Sequence, residues 1–185
     1  MNAEWTRVKW SQARQVTEIL EWKDEDVQGD PAAFYAGLRR TDRLMEAVEF
    51  MAQALPRWEA VAWAVDGVRG LTPNSDPANA AALDAASRWV SDPTEDTRRQ
   101  AFAAAETSPH DSAERLLALA AFLSGGSIAP LDCEPLPAPR AAAGQCAAGA
   151  LLIAAATLPE PEIALARILD VAERLAAGQA LDGAP

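Results

Sequence analysis

The sequence predicts an all-α protein with one helical domain, and three observations support this. Half of the 185 residues are apolar but only 6% are aromatic, and alanine supplies much of the apolar half, which favours closely packed helices over sheets. Apolar residues recur at helical spacing along most of the chain. β-branched and aromatic residues do not gather into the alternating runs that are typical of strands. The length also fits a single domain.

Residues 1–30 are predicted to form an N-terminal arm and a first helix, either packed on the domain or flexibly attached to it. Ser11 is the expected N-cap of that helix. Trp5, Trp10 and Trp22 lie in a stretch with little else to bury them. Tryptophan anchors cores and is also enriched at binding hot spots. These three side chains therefore anchor a small sub-core or form a partner-binding surface.

Residues 31–178 are predicted to form about seven to eight helices in antiparallel pairs. Proline or a capping residue indicates helix starts at Pro31, Thr41 or Asp42, Pro56, Asp76, Asp92 and Ser108. The helix after Asp92 is expected to turn Phe102 and Ala105 inward. Successive pairs resemble one another weakly, so an irregular helical-repeat solenoid is an alternative to a closed bundle.

A proline-rich crossing loop is predicted at residues 124–139. An apolar helix ends before Gly125-Gly126, and four prolines follow in the next thirteen residues. We expect the glycines to stop the helix and the prolines to hold an extended strap across the bundle surface. Loops of this length are usually functional or mobile. Ile128 and Leu131 are therefore candidate partner contacts.

The helix predicted from Ala141 to Thr157 is apolar on every side, so other helices should surround it. The apolar run to Leu158 is short and rich in alanine, and a core helix is a better interpretation than a membrane span. An amphipathic helix follows at about 162–175. Residues 179–185 are expected to be a frayed tail.

Charge and composition exclude several classes of function. The net charge is −11, and this acidity disfavours nucleic acid and anionic membrane surfaces as partners. The N-terminus lacks the apolar segment of a secretory signal, so a cytoplasmic protein is expected. Two cysteines and one histidine do not supply a disulfide framework or the usual zinc shell. No metal and no cofactor are expected.

No set of residues has the pattern of a catalytic site. His110 is the single histidine, and its neighbours Ser108 and Asp111 are better explained as helix-capping residues than as members of a triad. Ser124-Gly125-Gly126-Ser127 lacks the lysine and the following helix of a phosphate loop. Acidic neighbours on both sides of Cys133 disfavour its thiolate. The sequence therefore predicts a protein that is not an enzyme.

Two segments resemble an uncharacterised bacterial family of small helical proteins. They are 55–64, LPRWEAVAWA, and 119–130, LAAFLSGGSIAP. The Ser-Gly-Gly-Ser-x-Ala-Pro turn is the most specific element, and the resemblance extends from about Phe34 onward. It implies a family whose members are often encoded beside type VI secretion genes. It implies no catalytic residues.

Three functions follow as hypotheses. The first is a protein–protein interaction module, an accessory adaptor or chaperone of a type VI secretion system, whose partner is a secretion component or an effector. The second is an immunity protein that neutralises a toxin, because acidic helical proteins can cover basic toxin sites. The third, an enzyme of unrecognised type, requires a pocket lined by polar groups such as Arg57, Glu59 and His110. The oligomeric state is left open.

Overall fold

The computed structural model describes residues 5–23, 27–73 and 76–180. Within these ranges, every regular secondary-structure element is an α-helix. There are nine: α1 (Ala13–Ile19), α2 (Pro31–Arg40), α3 (Leu44–Ala54), α4 (Arg57–Leu71), α5 (Pro77–Ser91), α6 (Glu95–Thr107), α7 (Ala113–Leu123), α8 (Ala142–Ala156) and α9 (Pro161–Ala176). The all-α prediction is confirmed. Eight of them, α2 to α9, lie within 31–178 as predicted, and α1 is the first helix that was expected before residue 30. Most of the predicted tail, residues 181–185, lies outside the described residues.

Helix α8 lies at the centre and contacts α3, α4, α7 and α9. Glycines allow this close packing, because a Cβ added to Gly144 would lie 2.6 Å from the Gln53 side chain. At Gly149 the added atom would lie 3.0 Å from Leu116 Cδ1. Units of a solenoid contact only their neighbours, whereas α8 contacts helices far away in the chain. Of the two predicted architectures, the closed bundle is therefore correct.

The apolar run that ends at Leu158 lies within this core. Eight residues of α8 are buried by the surrounding helices. Among the described residues, no helix has both the length and the apolar character that crossing a bilayer requires.

Two helices start where the sequence predicts. The Asp76 carboxylate accepts hydrogen bonds from the backbone N–H groups of Ala78 and Asn79 at the start of α5. The side chain of Asp30 accepts one from Ala33 at the start of α2, where Pro31 is the first helical residue. A carboxylate at this position satisfies N–H groups that have no partner inside the helix.

Other helix starts lie later in the chain than predicted. Helix α6 is capped by the Thr94 side chain instead of Asp92, and α7 by Ser112 instead of Ser108. Ser108 instead ends α6. In both cases the true cap is the hydroxyl that reaches the backbone N–H three residues onward.

Near the N-terminus, the predicted starts also shift by one or two residues. Gln12 is the N-cap of α1 in place of Ser11, and Arg43 is the N-cap of α3 in place of Thr41 or Asp42. Asp42 has φ +58° and lies in the turn before α3. Pro56 is the N-cap of α4, one position before its predicted place in the first turn.

The arm before α1 packs on the bundle through backbone hydrogen bonds. The N–H groups of Thr6 and Arg7 donate to the carbonyl of Ala176 at 2.8 and 2.9 Å, and the N–H of Lys9 donates to Ala54 at 2.9 Å. Ala176 is the last residue of α9 and Ala54 is the last residue of α3. The arm therefore satisfies carbonyls that two helix ends leave without an internal partner.

Helix α2 is fixed to α9 by a polar contact that includes a buried tyrosine. The Arg39 guanidinium donates to Asp170 at 2.8 Å, to Glu173 at 2.9 Å and to the Tyr35 hydroxyl at 3.0 Å. Tyr35 donates in turn to the carbonyl of Leu169. Burial raises the pKa of Tyr35, so the hydroxyl keeps its proton and remains a donor.

Candidate functional site

The segment between α7 and α8 is folded as a hairpin, in contrast to the extended strap that the prolines predicted. The N–H of Ile128 donates to the carbonyl of Leu136 at 2.8 Å, and Ser127 pairs antiparallel with Pro137. The Ser127 hydroxyl accepts from the N–H groups of Ala129 and Leu136 at 3.1 and 3.0 Å. We call residues 127–137 the hairpin loop. Because α7 and α8 pack side by side, their connection does not need to cross the bundle.

The turn before the hairpin loop has the predicted role of a helix stop. Ser124 is the C-cap of α7, and Gly126 has φ +63°, which glycine adopts at little cost. A Cβ on Gly126 would lie 3.0 Å from Arg98 Nη2 and 3.0 Å from Glu95 Oε2. Glycine is therefore required here for its backbone conformation and for the close approach of α6.

Arg98 of α6 fixes the hairpin loop to the bundle. Its side chain is only 4% exposed and donates to the carbonyls of Phe122 and Ser127 at 2.5 and 2.7 Å. Two further bonds, each 2.8 Å, reach the Glu95 carboxylate. The guanidinium also lies 4.7 Å from the centre of the Phe122 ring. We call this set of contacts the arginine clasp.

Arg99 adds a second attachment. Its guanidinium donates to the carbonyl of Ala129 at 3.1 Å and to Glu95 at 2.6 Å. Hydrogen bonds from Arg98 and Arg99 lower the pKa of Glu95 to about 2, so this carboxylate is ionised over the physiological range. None of these three residues was predicted from the sequence as part of a site. The available signal was their spacing, because carboxylate and guanidinium groups three and four residues apart meet on one helix face.

The hairpin loop presents apolar side chains to solvent. Residues 130–137 are all exposed, and Leu131 and Leu136 are 80% and 55% exposed. Ile128, the other predicted contact in this loop, is half-buried. Phe102 was expected to face inward, but it is 38% exposed and packs beside the Phe122 ring, with ring centres 4.5 Å apart.

The predicted tryptophans lie along the arm and after α1, where each is half-buried and packs against the core. The Trp5 ring lies 5.2 Å from that of Tyr35. Trp10 donates from Nε1 to the carbonyl of Gln53 at 3.0 Å, and the Arg140 guanidinium lies 4.5 Å from its ring centre. These contacts favour the sub-core interpretation. Arg140 follows the hairpin loop, so Trp10 lies beside its base.

Comparison with models of known protein families identifies the family of this chain. The model of the family of unknown function DUF6931 matches residues 34–176. The chain belongs to the DUF6931 family. No curated protein and no solved structure matches it. The matched range agrees with the resemblance that begins near Phe34, and it ends at the last residue of α9. The arginine clasp and the hairpin loop lie inside the DUF6931 region, and the three tryptophans lie outside it.

The polar residues that an enzyme was expected to bring together are separated in this DUF6931 protein. Arg57 donates to the carbonyl of Ser124 at the C-terminal end of α7. His110 is exposed in the turn before the N-terminal end of α7. The predicted helix start at Ser108 would have placed it inside the helix. Eleven residues of helix separate the two positions by roughly 16 Å. In the part of the chain that the structure describes, no three histidine, cysteine or acidic residues are grouped as metal ligands.

A groove of about 530 Å³ lies between α4 and α9. Most of its lining is apolar, including Trp63, Leu71 and Ile163, and Asp66 and Arg167 also contribute. Neither Arg57 nor Glu59 nor His110 lines it. The groove therefore does not bring these three residues together.

Proposed function

We propose that this DUF6931 protein is a non-enzymatic protein–protein interaction module that contacts its partner through the hairpin loop. The supporting observation is that the arginine clasp holds exposed Leu131 and Leu136 on a fixed backbone. A loop that is already ordered loses less conformational entropy when it binds. Burying the exposed leucines of such a loop against a partner lowers the free energy of the complex.

The clasp distinguishes these leucines from ordinary exposed apolar residues. Single exposed leucines are common on protein surfaces and need no explanation. A buried arginine, however, carries a desolvation penalty. Here it fixes a segment whose residues 130–137 all lie at the surface, so they add little to the core. Residues 130–137 are therefore available for contact with a partner.

The proposed partner belongs to a bacterial type VI secretion system, in which the protein acts as an accessory adaptor or chaperone. The resemblance at 55–64 and 119–130 supports this finer assignment. The partner is then a secretion component or an effector, and the site works without a cofactor.

An immunity protein is the second candidate. The observation that favours it is the net charge of −11, which complements the basic surface that a toxin acting on nucleic acid or membranes requires. The two roles differ in what the cell loses without the protein. An adaptor is needed for secretion, whereas an immunity protein is needed for survival.

Gene deletion and complementation in the native host test both roles. The deletion strain receives the wild-type gene, the double variant Leu131→Asp/Leu136→Asp, or Met45→Asp. Met45 is the matched control because it is 61% exposed and lies on α3, outside the hairpin loop. Secretion of the apparatus's own extracellular proteins and survival beside sister cells are measured separately.

The adaptor proposal predicts that deletion abolishes secretion and leaves survival unchanged. Wild type and Met45→Asp should restore secretion, and the double variant should not. Loss of survival with normal secretion would instead support the immunity role. Normal secretion and normal survival after deletion would contradict both. Thermal unfolding of the purified variants controls for loss of fold.

A further inference from the structure

Three cationic residues lie near one another at the base of the hairpin loop, and two of them contact the Trp10 ring. The Arg140 guanidinium lies 4.5 Å from the centre of the Trp10 ring, and Lys9 Nζ lies 5.9 Å from it. Arg57, the first residue of α4, donates to the carbonyl of Ser124 at 3.3 Å. We call Lys9, Arg57 and Arg140 the basic cluster.

The positive charges of the basic cluster are not neutralised by ion pairs. Six arginines in the described ranges form ion pairs, as Arg39 does with Asp170 at 2.8 Å. No carboxylate among the described residues lies within ion-pair distance of Lys9, Arg57 or Arg140. The chain has 27 acidic and 16 basic residues. In this acidic chain, three neighbouring cations without an ion pair form a local region of positive charge.

The pKa of Lys9 is lowered first by burial and then by the two neighbouring arginines. Partial burial together with the charges of Arg57 and Arg140 lowers this pKa to about 8, and nearby Glu59 opposes the shift. An amine that a carboxylate neutralised would instead keep its proton more firmly. An anion that approaches the cluster therefore lowers its electrostatic free energy.

The scaffold beneath the cluster is fixed while its charged groups remain accessible. The backbone N–H of Lys9 donates to the carbonyl of Ala54, and Trp10 Nε1 donates to that of Gln53. The buried Gln53 amide donates in turn to the carbonyl of Ala141 at 2.8 Å, before α8 begins. The three cationic residues are nevertheless exposed.

The basic cluster is continuous with the proposed contact surface. Arg57 binds the residue that ends α7, and Arg140 follows the hairpin loop within two residues of α8. Both ends of the segment that carries Leu131 and Leu136 therefore lie at the cluster. A partner that covers the leucines at the loop also meets the cations at its base.

We propose that the basic cluster binds the carboxylates of an acidic segment in the protein partner. This inference rests on the proposed interaction function and specifies the partner's chemistry. Guanidinium groups pair with carboxylates through two parallel hydrogen bonds. A long polyanion such as nucleic acid is disfavoured because the net charge of −11 repels it beyond the cluster. A short acidic segment is screened from that field at physiological salt.

Fluorescence anisotropy with the full chain tests the inference. The probe is a fluorescein-labelled peptide of six glutamates, and the control probe has six glutamines. The variant is Arg57→Gln/Arg140→Gln, with Arg88→Gln/Arg167→Gln as the matched control, because Arg88 and Arg167 are also exposed arginines. Exposed ion pairs contribute about 0.2–1 kcal/mol each, so we expect the cluster variant to bind the glutamate peptide roughly two- to tenfold more weakly. The control variant should match wild type.

A pH series provides a readout that a general loss of fold does not reproduce. From pH 7 to pH 9, Lys9 loses its proton and wild-type affinity for the glutamate peptide should fall. The Lys9→Gln variant should show a smaller change over the same range. Urea unfolding of each variant confirms that the fold is retained.

Equal binding of the two peptides, or equal affinity of the cluster and control variants, would overturn the inference. Binding of pyrophosphate with no binding of the glutamate peptide would also overturn it, in favour of a phosphate site. The peptide assay contains no ligand for the leucines. Its failure therefore refutes only the acidic-segment inference, whereas failure of the hairpin double variant to affect secretion refutes the proposed function.

Discussion

Replacing Arg98 with methionine should loosen the hairpin loop and destabilise the whole domain. Methionine keeps much of the apolar stem of arginine and removes its donors. The carbonyls of Phe122 and Ser127 lose bonds of 2.5 and 2.7 Å, and a hydrogen bond to a charged group contributes about 1.5–3 kcal/mol. Glu95 is 50% exposed, so water replaces its lost bonds at little cost.

The two carbonyl bonds set the expected magnitude. Their sum is partly offset because the variant no longer buries a charge. We therefore expect Arg98→Met to lower the free energy of unfolding by about 2–4 kcal/mol. Arg99→Met should cost about 1 kcal/mol or less, because the Arg99 side chain is more exposed at 25%.

Urea unfolding followed by tryptophan fluorescence measures these free energies. Hydrogen exchange measures the loop, because the N–H groups of Ile128 and Leu136 are hydrogen-bonded within the hairpin. Both amides should exchange faster in Arg98→Met than in Arg99→Met. The reasoning is refuted if Arg98→Met changes unfolding by less than 0.5 kcal/mol, roughly the scatter expected of a neutral surface substitution, and leaves exchange at both amides unchanged.

Three further predictions concern packing, acid and thiol reactivity. Gly144→Ala should destabilise the protein by about 1–2 kcal/mol in urea unfolding, because its Cβ would lie 2.6 Å from a buried amide. Gly70→Ala should stabilise it by about 0.5–1 kcal/mol, because nothing lies within 4 Å of the added Cβ. Equal effects of the two variants would contradict the packing account. The lowered pKa of Glu95 implies a stabilisation that is complete above pH 4.5 and is lost as pH falls towards about 2. Over this window the free energy of unfolding should depend less on pH in Glu95→Gln than in wild type. Parallel curves for the two proteins would argue against a stabilising role of the Glu95 charge. Iodoacetamide should modify exposed Cys133 well before half-buried Cys146, because burial raises the pKa of the Cys146 thiol. Peptide mass spectrometry measures the two rates. Equal rates would be inconsistent with the described core.

The helix content could be predicted from the sequence because its signals are local. Asp76 followed by proline identifies the start of α5 without tertiary information. The starts of α6 and α7 were predicted too early, because a second capping residue follows Asp92 by two positions and Ser108 by four. The choice of Ser112 over Ser108 depends on where α6 ends, and Ser108 is buried against the carbonyls of Ala78 and Ala104. Contacts of that range leave no local pattern.

The hairpin loop could not be predicted from its own residues. Its prolines favour extended backbone, and the loop does contain an extended antiparallel pair. The donors that attach the loop to the bundle come from Arg98, which lies 24 and 29 residues before the two carbonyls that it binds. The same distance effect applies to Trp10, whose partner Gln53 lies 43 residues away. The sequence therefore identified the loop and the tryptophans as notable, and the structure was needed to show what holds each in place.

Site-specific photo-crosslinking can show whether the hairpin loop contacts the partner in the cell. A photoreactive amino acid is placed at position 131 in the native host, and the matched control places it at position 45, which is similarly exposed on α3. The account predicts a crosslink from position 131 to a secretion component or effector, with none to that protein from position 45. Crosslinking of that protein from both positions alike, or no crosslink from position 131 in actively secreting cells, would contradict the claim that the hairpin loop contacts the partner.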